Sequence, residues 1–319
     1  MLKKFILLLI LLILSIALAL CVGAVNIFAC DKDTLYTILT TIRLPRVLGA
    51  ALCGAALATG GTILQCVTQN HLSAPSVIGI NSGAGFAVIL TLCFIPSLWM
   101  LLPVAAFLGA ILSCALIMGI AFGTGKKTGG SIIILCGVAV SSMLSAGISF
   151  LSLRYPDVLS SYTAFSVGGF SGTGWRELLI PCIIIHIALI VLQAISPKLN
   201  LLCLGDEMAS TLGVNVRSIR ITALICTSAL CACAVSFAGL LGFVGLIVPH
   251  IVRRMAGNDI RYNIPLSYTA GAVLCVLSDL LGRTLFTPTE LPCGIIMAFI
   301  GAPFFLYLLI ARRYKGDRM

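Results

Sequence analysis

Residues 47–67 read Val47-Leu48-Gly49-Ala50-Ala51-Leu52-Cys53-Gly54-Ala55-Ala56-Leu57-Ala58-Thr59-Gly60-Gly61-Thr62-Ile63-Leu64-Gln65-Cys66-Val67. No charge interrupts the run, and about 20 mostly apolar residues are what one helix needs to cross a bilayer. Its small residues, Gly54-Ala55-Ala56 and Gly60-Gly61, let helix backbones approach closely in lipid, where no hydrophobic force drives pairing. Similar runs recur from end to end. Of 319 residues, 60% are hydrophobic and 9% charged, against about a quarter charged in a soluble domain. The fold class is all-α, a polytopic membrane protein of about ten transmembrane helices. No segment is long and polar enough for a separate soluble domain, so residues 1–319 form one membrane domain.

Working outward from this run gives an expected topology. A basic start, Lys3-Lys4, leads into an apolar stretch reaching about Phe28, longer than the 7–15 residues of a signal-peptide core and therefore a retained first helix. A polar outer segment is expected from Asp31 to Arg46, and helix two then runs inward. The turn Gln69-Asn70-His71-Leu72-Ser73-Ala74-Pro75 follows. Helix three starts near Gly83 and ends outside at Pro96, and helix four returns to a basic inner loop at Lys126-Lys127. Helix five spans Ser131 to Leu153. A Gly-, Ser- and Tyr-rich outer loop covers Arg154–Trp175, and helix six ends near Ile195. A long inner loop is expected over about 197–220. Helix seven ends at Ala238. A short helix through Pro249 and His250 is tolerated in a membrane where protein buries it. Helix nine runs from Pro265 to Gly282, the outer loop from Pro288 to Pro292, and helix ten back to Arg312-Arg313.

Charge supports this orientation. The net charge is +10, which in a soluble protein would suggest nucleic acid or acidic partners; here placement matters more. The inner side holds Lys3, Lys4, Lys126, Lys127, Lys198, Arg217, Arg220, Arg253, Arg254, Arg261, Arg312, Arg313, Lys315 and Arg318. The outer side holds Lys32, Arg43, Arg46, Arg154, Arg176 and Arg283. The excess follows the positive-inside rule and puts both termini in the cytoplasm. The bilayer is the expected surrounding, and no nucleic-acid partner is expected.

Neither cofactor nor metal is expected. The 14 cysteines sit mostly inside apolar runs, where they behave as small hydrophobes, and no His/Cys cluster has zinc spacing. Cys21 and Cys30 are the least certain pair. His186 stands alone on helix six, His250 suits a structural hydrogen bond, and His71 is a loop residue. No His-Glu-x-x-His, Gly-x-Ser-x-Gly or Cys-x-x-Cys pattern marks an enzyme. The stretch Gly123-Thr124-Gly125-Lys126-Lys127-Thr128 is not a phosphate loop, since Ile120 stands where the first glycine is required and Lys127 follows Lys126. The chain should therefore not bind ATP.

The inner loop carries Leu204-Gly205-Asp206-Glu207-Met208-Ala209-Ser210-Thr211-Leu212-Gly213-Val214. This reads as a short helix with acids at its positive end and Gly213 at a left-handed cap, a rigid knob that another protein can grip. Its alternative is an ordinary amphipathic loop. The E-x-A-x3-G spacing of Glu207, Ala209 and Gly213 matches the coupling loop of ABC importer permeases.

Further motifs occur in order: Arg43-Leu44-Pro45-Arg46 with Gly49, Gly54, Gly60 and Gln65; Asn70, Leu72, Pro75, Gly79 and Gly83; Gly168-Gly169-Phe170; Gly242-Phe243-Val244-Gly245-Leu246-Ile247-Val248-Pro249-His250-Ile251; and Asp279, Arg283, Glu290-Leu291-Pro292, Gly294 and Gly301-Ala302-Pro303-Phe304. Together they closely resemble the FecCD-type permeases, which import iron-siderophores, haem and vitamin B12. One departure is Asn70-His71-Leu72-Ser73, where the family usually has Asn-Pro-Leu-Ala; the missing proline frees one N–H and loosens φ.

The resemblance implies a type II ABC importer permease of the bacterial or archaeal cytoplasmic membrane. It implies a homodimer with the path on its two-fold axis, two cytoplasmic ATPase subunits and an extracytoplasmic substrate-binding protein. It assigns Arg43, Arg46 and Arg283 to binding-protein docking, Asp206, Glu207, Ala209, Leu212 and Gly213 to ATPase coupling, and Asn70, Leu72, Gly130 and Ser131 to a cytoplasmic gate. The alternative for Arg43 and Arg46 is interfacial anchoring. For Arg283 it is an i,i+4 pair with Asp279. The competing functions are a metal-ion ABC permease, a secondary transporter, which would use intramembrane carboxylates, and a membrane enzyme.

Overall fold

The computed structural model describes residues 1–23, 31–123, 130–287 and 289–316. The expected end of helix one at Phe28, and Cys30, Lys126, Lys127, Pro288 and Arg318, lie outside them. The described residues form α1 (Leu2–Cys21), α2 (Lys32–Thr37), α3 (Leu44–Val67), α4 (Ile80–Phe94), α5 (Leu102–Gly123), α6 (Gly130–Arg154), α7 (Leu159–Val167), α8 (Trp175–Leu202), α9 (Asp206–Thr211), α10 (Val216–Ala238), α11 (Val244–Ala256), α12 (Ile260–Thr284) and α13 (Cys293–Gly316). Among the described residues there is no strand. Among the described residues, seven helical stretches are long and apolar enough to cross a membrane, and α4 and the first part of α13 are shorter apolar helices. With the short, largely buried α11 they account for the expected ten. The molecule is a multi-pass membrane protein.

The uncharged run over residues 47–67 is the central element. α3 packs against α12, α10, α11 and α8 and is buried along nearly its whole length. Its glycines explain how. A Cβ on Gly54 would lie 2.1 Å from Gly271 O, and one on Gly61 would lie 2.0 Å from Gly245 O. Two backbones therefore touch α3 directly, the close approach that small residues permit in lipid.

Three expectations are corrected. The polar outer segment 31–46, expected to precede a helix starting near Val47, is itself helical from Lys32. Asp31 caps α2 by accepting from Thr34 N, and a π-helical turn over Ile38–Arg43 leads into α3, with Leu44 N donating to Leu39 O. The Arg154–Trp175 loop contains α7. The inner loop is shorter than 197–220, because α8 continues through Pro197 to Leu202 and α10 begins at Val216.

Pro197 survives in a helix for a reason that recurs. A proline leaves the carbonyl four residues earlier without its N–H partner, and in a membrane that carbonyl must find another. Ser196 Oγ donates to Gln193 O at 2.7 Å and replaces the bond Pro197 removes. Gln65 Nε2 donates to Gly245 O at 3.3 Å, the carbonyl Pro249 leaves. Gln193 Nε2 donates to Arg261 O at 3.2 Å, the carbonyl Pro265 leaves. Gln65 also accepts from Arg253 Nη2 through Oε1, so one amide ties α3 to α11 on both of its sides.

Candidate functional site: a capped knob and an arginine cluster at opposite ends of the bundle

The start of α1 and the end of α13 lie at one end of the bundle. Lys4 Nζ donates to Met255 O at the end of α11, and α13 runs back to that same end. Here α9 stands between α8 and α10, packed against both. Asp206 and Glu207 occupy its first turn, where acids face the positive helix end. Ala209 is fully buried and seats the knob. The helix closes as the sequence implies. Gly213 has φ +81°, its N–H donates to Ser210 O at 3.0 Å, and Val214 N–H donates to Ala209 O at 3.0 Å. These two bonds form the Schellman cap.

The sequence reading missed what holds the knob. Arg220 makes a two-pronged pair with Asp206, at 2.7 Å and 3.0 Å. The guanidinium is buried, and this fork geometry fixes orientation as well as charge. The 14-residue separation gives no helical-spacing signal. Leu212, expected in the coupling set, is 57% exposed, and the sequence reading missed that Met208 and Leu204, one and two helical turns before it in sequence, are exposed with it at 59% and 62%. Beyond α9, the Arg261 guanidinium, with Asn200, holds the Asp259 carboxyl down at about 2. Asp259 caps α12.

The four gate candidates come together at this end. Asn70 Oδ1 accepts from Leu72 N at 2.9 Å, shaping the turn after α3 despite the missing proline. Gly130 starts α6 directly against that turn, since a Cβ there would lie 2.3 Å from Thr68 O. Ser131 is exposed beside it.

At the opposite end, the three arginines expected to dock a binding protein are turned into the protein. Arg43 Nη1 donates to Leu20 O at 2.7 Å and Cys21 O at 3.2 Å, and Arg283 Nη2 to Ala19 O at 3.3 Å. A helix leaves its last four carbonyls unpaired, and these guanidiniums cover three at the end of α1, where positive charge also meets the negative helix end. The π turn before α3 shifts the helical phase so that Arg43 points inward. Arg46 forms a fork with Asp279, at 3.0–3.2 Å, and reaches Glu290 at 2.8 Å. Arg283 Nε lies 3.1 Å from Asp279, the i,i+4 pair the sequence allowed. The side chains of Arg46 and Asp279 are 12% and 3% exposed. Arg154 at the end of α6, Arg176 at the start of α8 and Lys32 at the start of α2 are exposed at this end.

The histidines do not gather. His186, expected to stand alone, is partnered: its Nδ1 lies 2.8 Å from Cys182 O and its Nε2 3.2 Å from Tyr268 Oη. His250 packs edge-on to Phe304. Among the described residues no group of three His, Cys, Asp or Glu side chains could hold a metal.

Comparison with known proteins fits this geometry. The chain is 38% identical over 275 residues to the Fe(3+)-citrate import system permease protein YfmE of Bacillus subtilis, covering 85% of this chain and 81% of that one. It is 38% identical over 285 residues to the cobalamin import system permease protein BtuC of Halobacterium salinarum, covering 89% and 76%. A solved structure of a metal-chelate type ABC transporter in an inward-facing conformation superposes with a TM-score of 0.89 at 30% identity, over 98% of this chain and 100% of that one. The model of the FecCD transport family matches residues 5–311, and the chain belongs to that family of permeases.

Proposed function

We propose that the chain is the membrane permease of a binding-protein-dependent ABC importer, carrying an iron chelate, haem or cobalamin across the cytoplasmic membrane. It works as a homodimer, with two ATPase subunits on the cytoplasmic side, at the end where α1 begins and α13 finishes. The basic-residue excess at that end supports the orientation, and the ferric citrate, cobalamin and hemin named for its relatives support the cargo class. A second copy covers the apolar face of α6, where Leu135, Met143 and Phe150 are exposed in the single chain. The binding protein docks on the arginine end. Arg46 and Glu290 form the rim of that surface, Arg43 and Arg283 support it from within, and Arg154 and Arg176 extend it.

The observation that carries the proposal is the surface of α9. Met208 on α9, with Leu204 before it and Leu212 after it, exposes three large apolar side chains on a knob locked by Arg220 and closed by Gly213. Water-exposed apolar ridges on rigid elements mark partner contacts. Met208→Asp is therefore expected to weaken association with the ATPase subunit by about tenfold or more, as at an interface hot spot. The purified permease should keep its folding and melting temperature. Titration of labelled ATPase against permease in detergent reads this. An unchanged affinity would move the ATPase contact away from α9.

A further inference from the structure

Gln69 has φ +52°, a left-handed conformation that favours glycine and that other L residues seldom adopt. It closes α3 as Gly213 closes α9. Gln69 N–H donates to Cys66 O at 3.2 Å, and Asn70 N–H donates to Gln65 O at 3.2 Å. This is again the Schellman pattern, in which glycine is usual at the left-handed position. A side chain kept where glycine fits best points to a use for it.

That use is visible in the hydrogen bonds. Gln69 Nε2 donates to Leu202 O at 3.2 Å and to Asp206 Oδ1 at 3.2 Å. Leu202 ends α8, and Asp206 begins α9. One amide thus spans from the turn after α3 to the first residue of the knob. Asp206 is itself forked to the buried Arg220, so the amide grips an element that cannot swing alone. On its other side the same turn is in backbone contact with α6, because Gly130 meets Thr68 with no space for a Cβ. Thr68 Oγ1 and Ser73 Oγ, 2.8 Å apart, brace the turn across its base. A continuous run of contacts, polar from α9 through Asp206 and Gln69 to Asn70 and Leu72 and steric from Thr68 to Gly130, therefore joins the knob to the start of α6.

We infer that Gln69 is the positioning residue that transmits movement of α9 to the gate turn. This rests on the reading of α9 as the ATPase contact and of Asn70, Leu72, Gly130 and Ser131 as the gate. When nucleotide moves the ATPase subunits, α9 moves with them. The Gln69 amide carries that displacement to residues 69–73 and, through Thr68, to the start of α6. The amide neither touches cargo nor lines a catalytic centre.

The chemistry suggests a test in which folding and transmission separate. Gln69→Gly relieves the backbone and removes the bridge; Gln69→Asn tolerates the left-handed conformation and is one methylene too short to reach Asp206. Hydrogen–deuterium exchange is measured on the permease–ATPase complex, without nucleotide and with ATP plus vanadate. In the wild type, exchange of amides 69–73 is expected to change by about tenfold between the two states, the scale of one net hydrogen bond. In both variants that change should vanish, while complex assembly and melting temperature hold and ATP hydrolysis stays within about twofold, less than half that scale in free energy. A structural role alone would instead lower the melting temperature and raise exchange equally in both states. Either that result, or a wild-type nucleotide response in both variants, overturns the inference. Gly213→Val in the same assay separates the two levels. If it too leaves ATPase assembly and response normal, the α9 reading fails; if it disrupts them while Gln69→Gly responds normally, only the role of Gln69 fails.

Discussion

Gly213→Val is expected to cut ATP-driven transport by about tenfold or more while leaving the helical bundle folded. Gly213 sits at φ +81°, where an L residue is disfavoured by about 1–2 kcal/mol and a β-branched one by more. Beyond its two chain neighbours, no atom lies within 4 Å of where its Cβ would stand, so the effect comes from the local backbone and not from a clash with another element. The exposed turn escapes the strain by unwinding, which breaks the bonds to Ser210 O and Ala209 O. α9 then loses its last turn, and with it the placement of Leu212. Because the turn lies outside the bundle core, the melting temperature should hardly move. Co-purification with the ATPase subunit and substrate uptake should each fall by about tenfold or more, the equilibrium equivalent of the strain. Gly213→Ala should fall between the two. Normal uptake by the valine variant would show that the cap has no part in coupling.

Arg46→Glu is expected to act at the other end and by a different route, through loss of folded protein. Arg46 is the guanidinium between Asp279 and Glu290. Replacing it with an acid puts three carboxylates together, one of them on the buried Asp279 with Arg283 as its remaining close cation. Removing one partner of a buried pair typically costs about 3–5 kcal/mol, a large share of the stability of any domain. Loss of monodisperse protein in detergent, or a steep fall in melting temperature, is the expected readout. Arg46→Lys should be intermediate, since a lysine keeps the charge and loses the fork. Arg154→Glu and Arg176→Glu should fold normally. If Arg46→Glu yields stable protein that loses only binding-protein affinity, the arginine is a docking group first and an anchor second.

The two ends differ in how far the sequence reveals them. The knob was legible because its signals are local: acids in the first turn, a small residue to seat it and a glycine at the cap, within eight residues from Asp206 to Gly213. The helices were legible because hydrocarbon demands unbroken apolar runs. The arginines were not, because the motif gives residue types without the direction each faces. That direction depends on the π turn before α3 and on three carbonyls of α1, more than twenty residues away from Arg43. Pro197 ended a helix on paper for the same reason. A proline breaks a helix when its orphaned carbonyl has no partner, and the partner, Ser196, could as well have faced elsewhere. Gln65 and Gln193 act across 180 and 68 residues, which no window along the chain detects. Gln69 carried no sequence signal, since its significance lies in a positive φ.

The most direct measurement is uptake into proteoliposomes. The permease is reconstituted with its ATPase subunit bound on the α9 side and the binding protein supplied on the arginine side, and a panel of ferric citrate, a ferric hydroxamate, hemin and cobalamin is offered. Import of one of these is predicted to require ATP on the α9 side and to continue when proton and sodium gradients are collapsed. Import driven by an ion gradient without the ATPase subunit, or nucleotide binding by the isolated permease, would contradict the account.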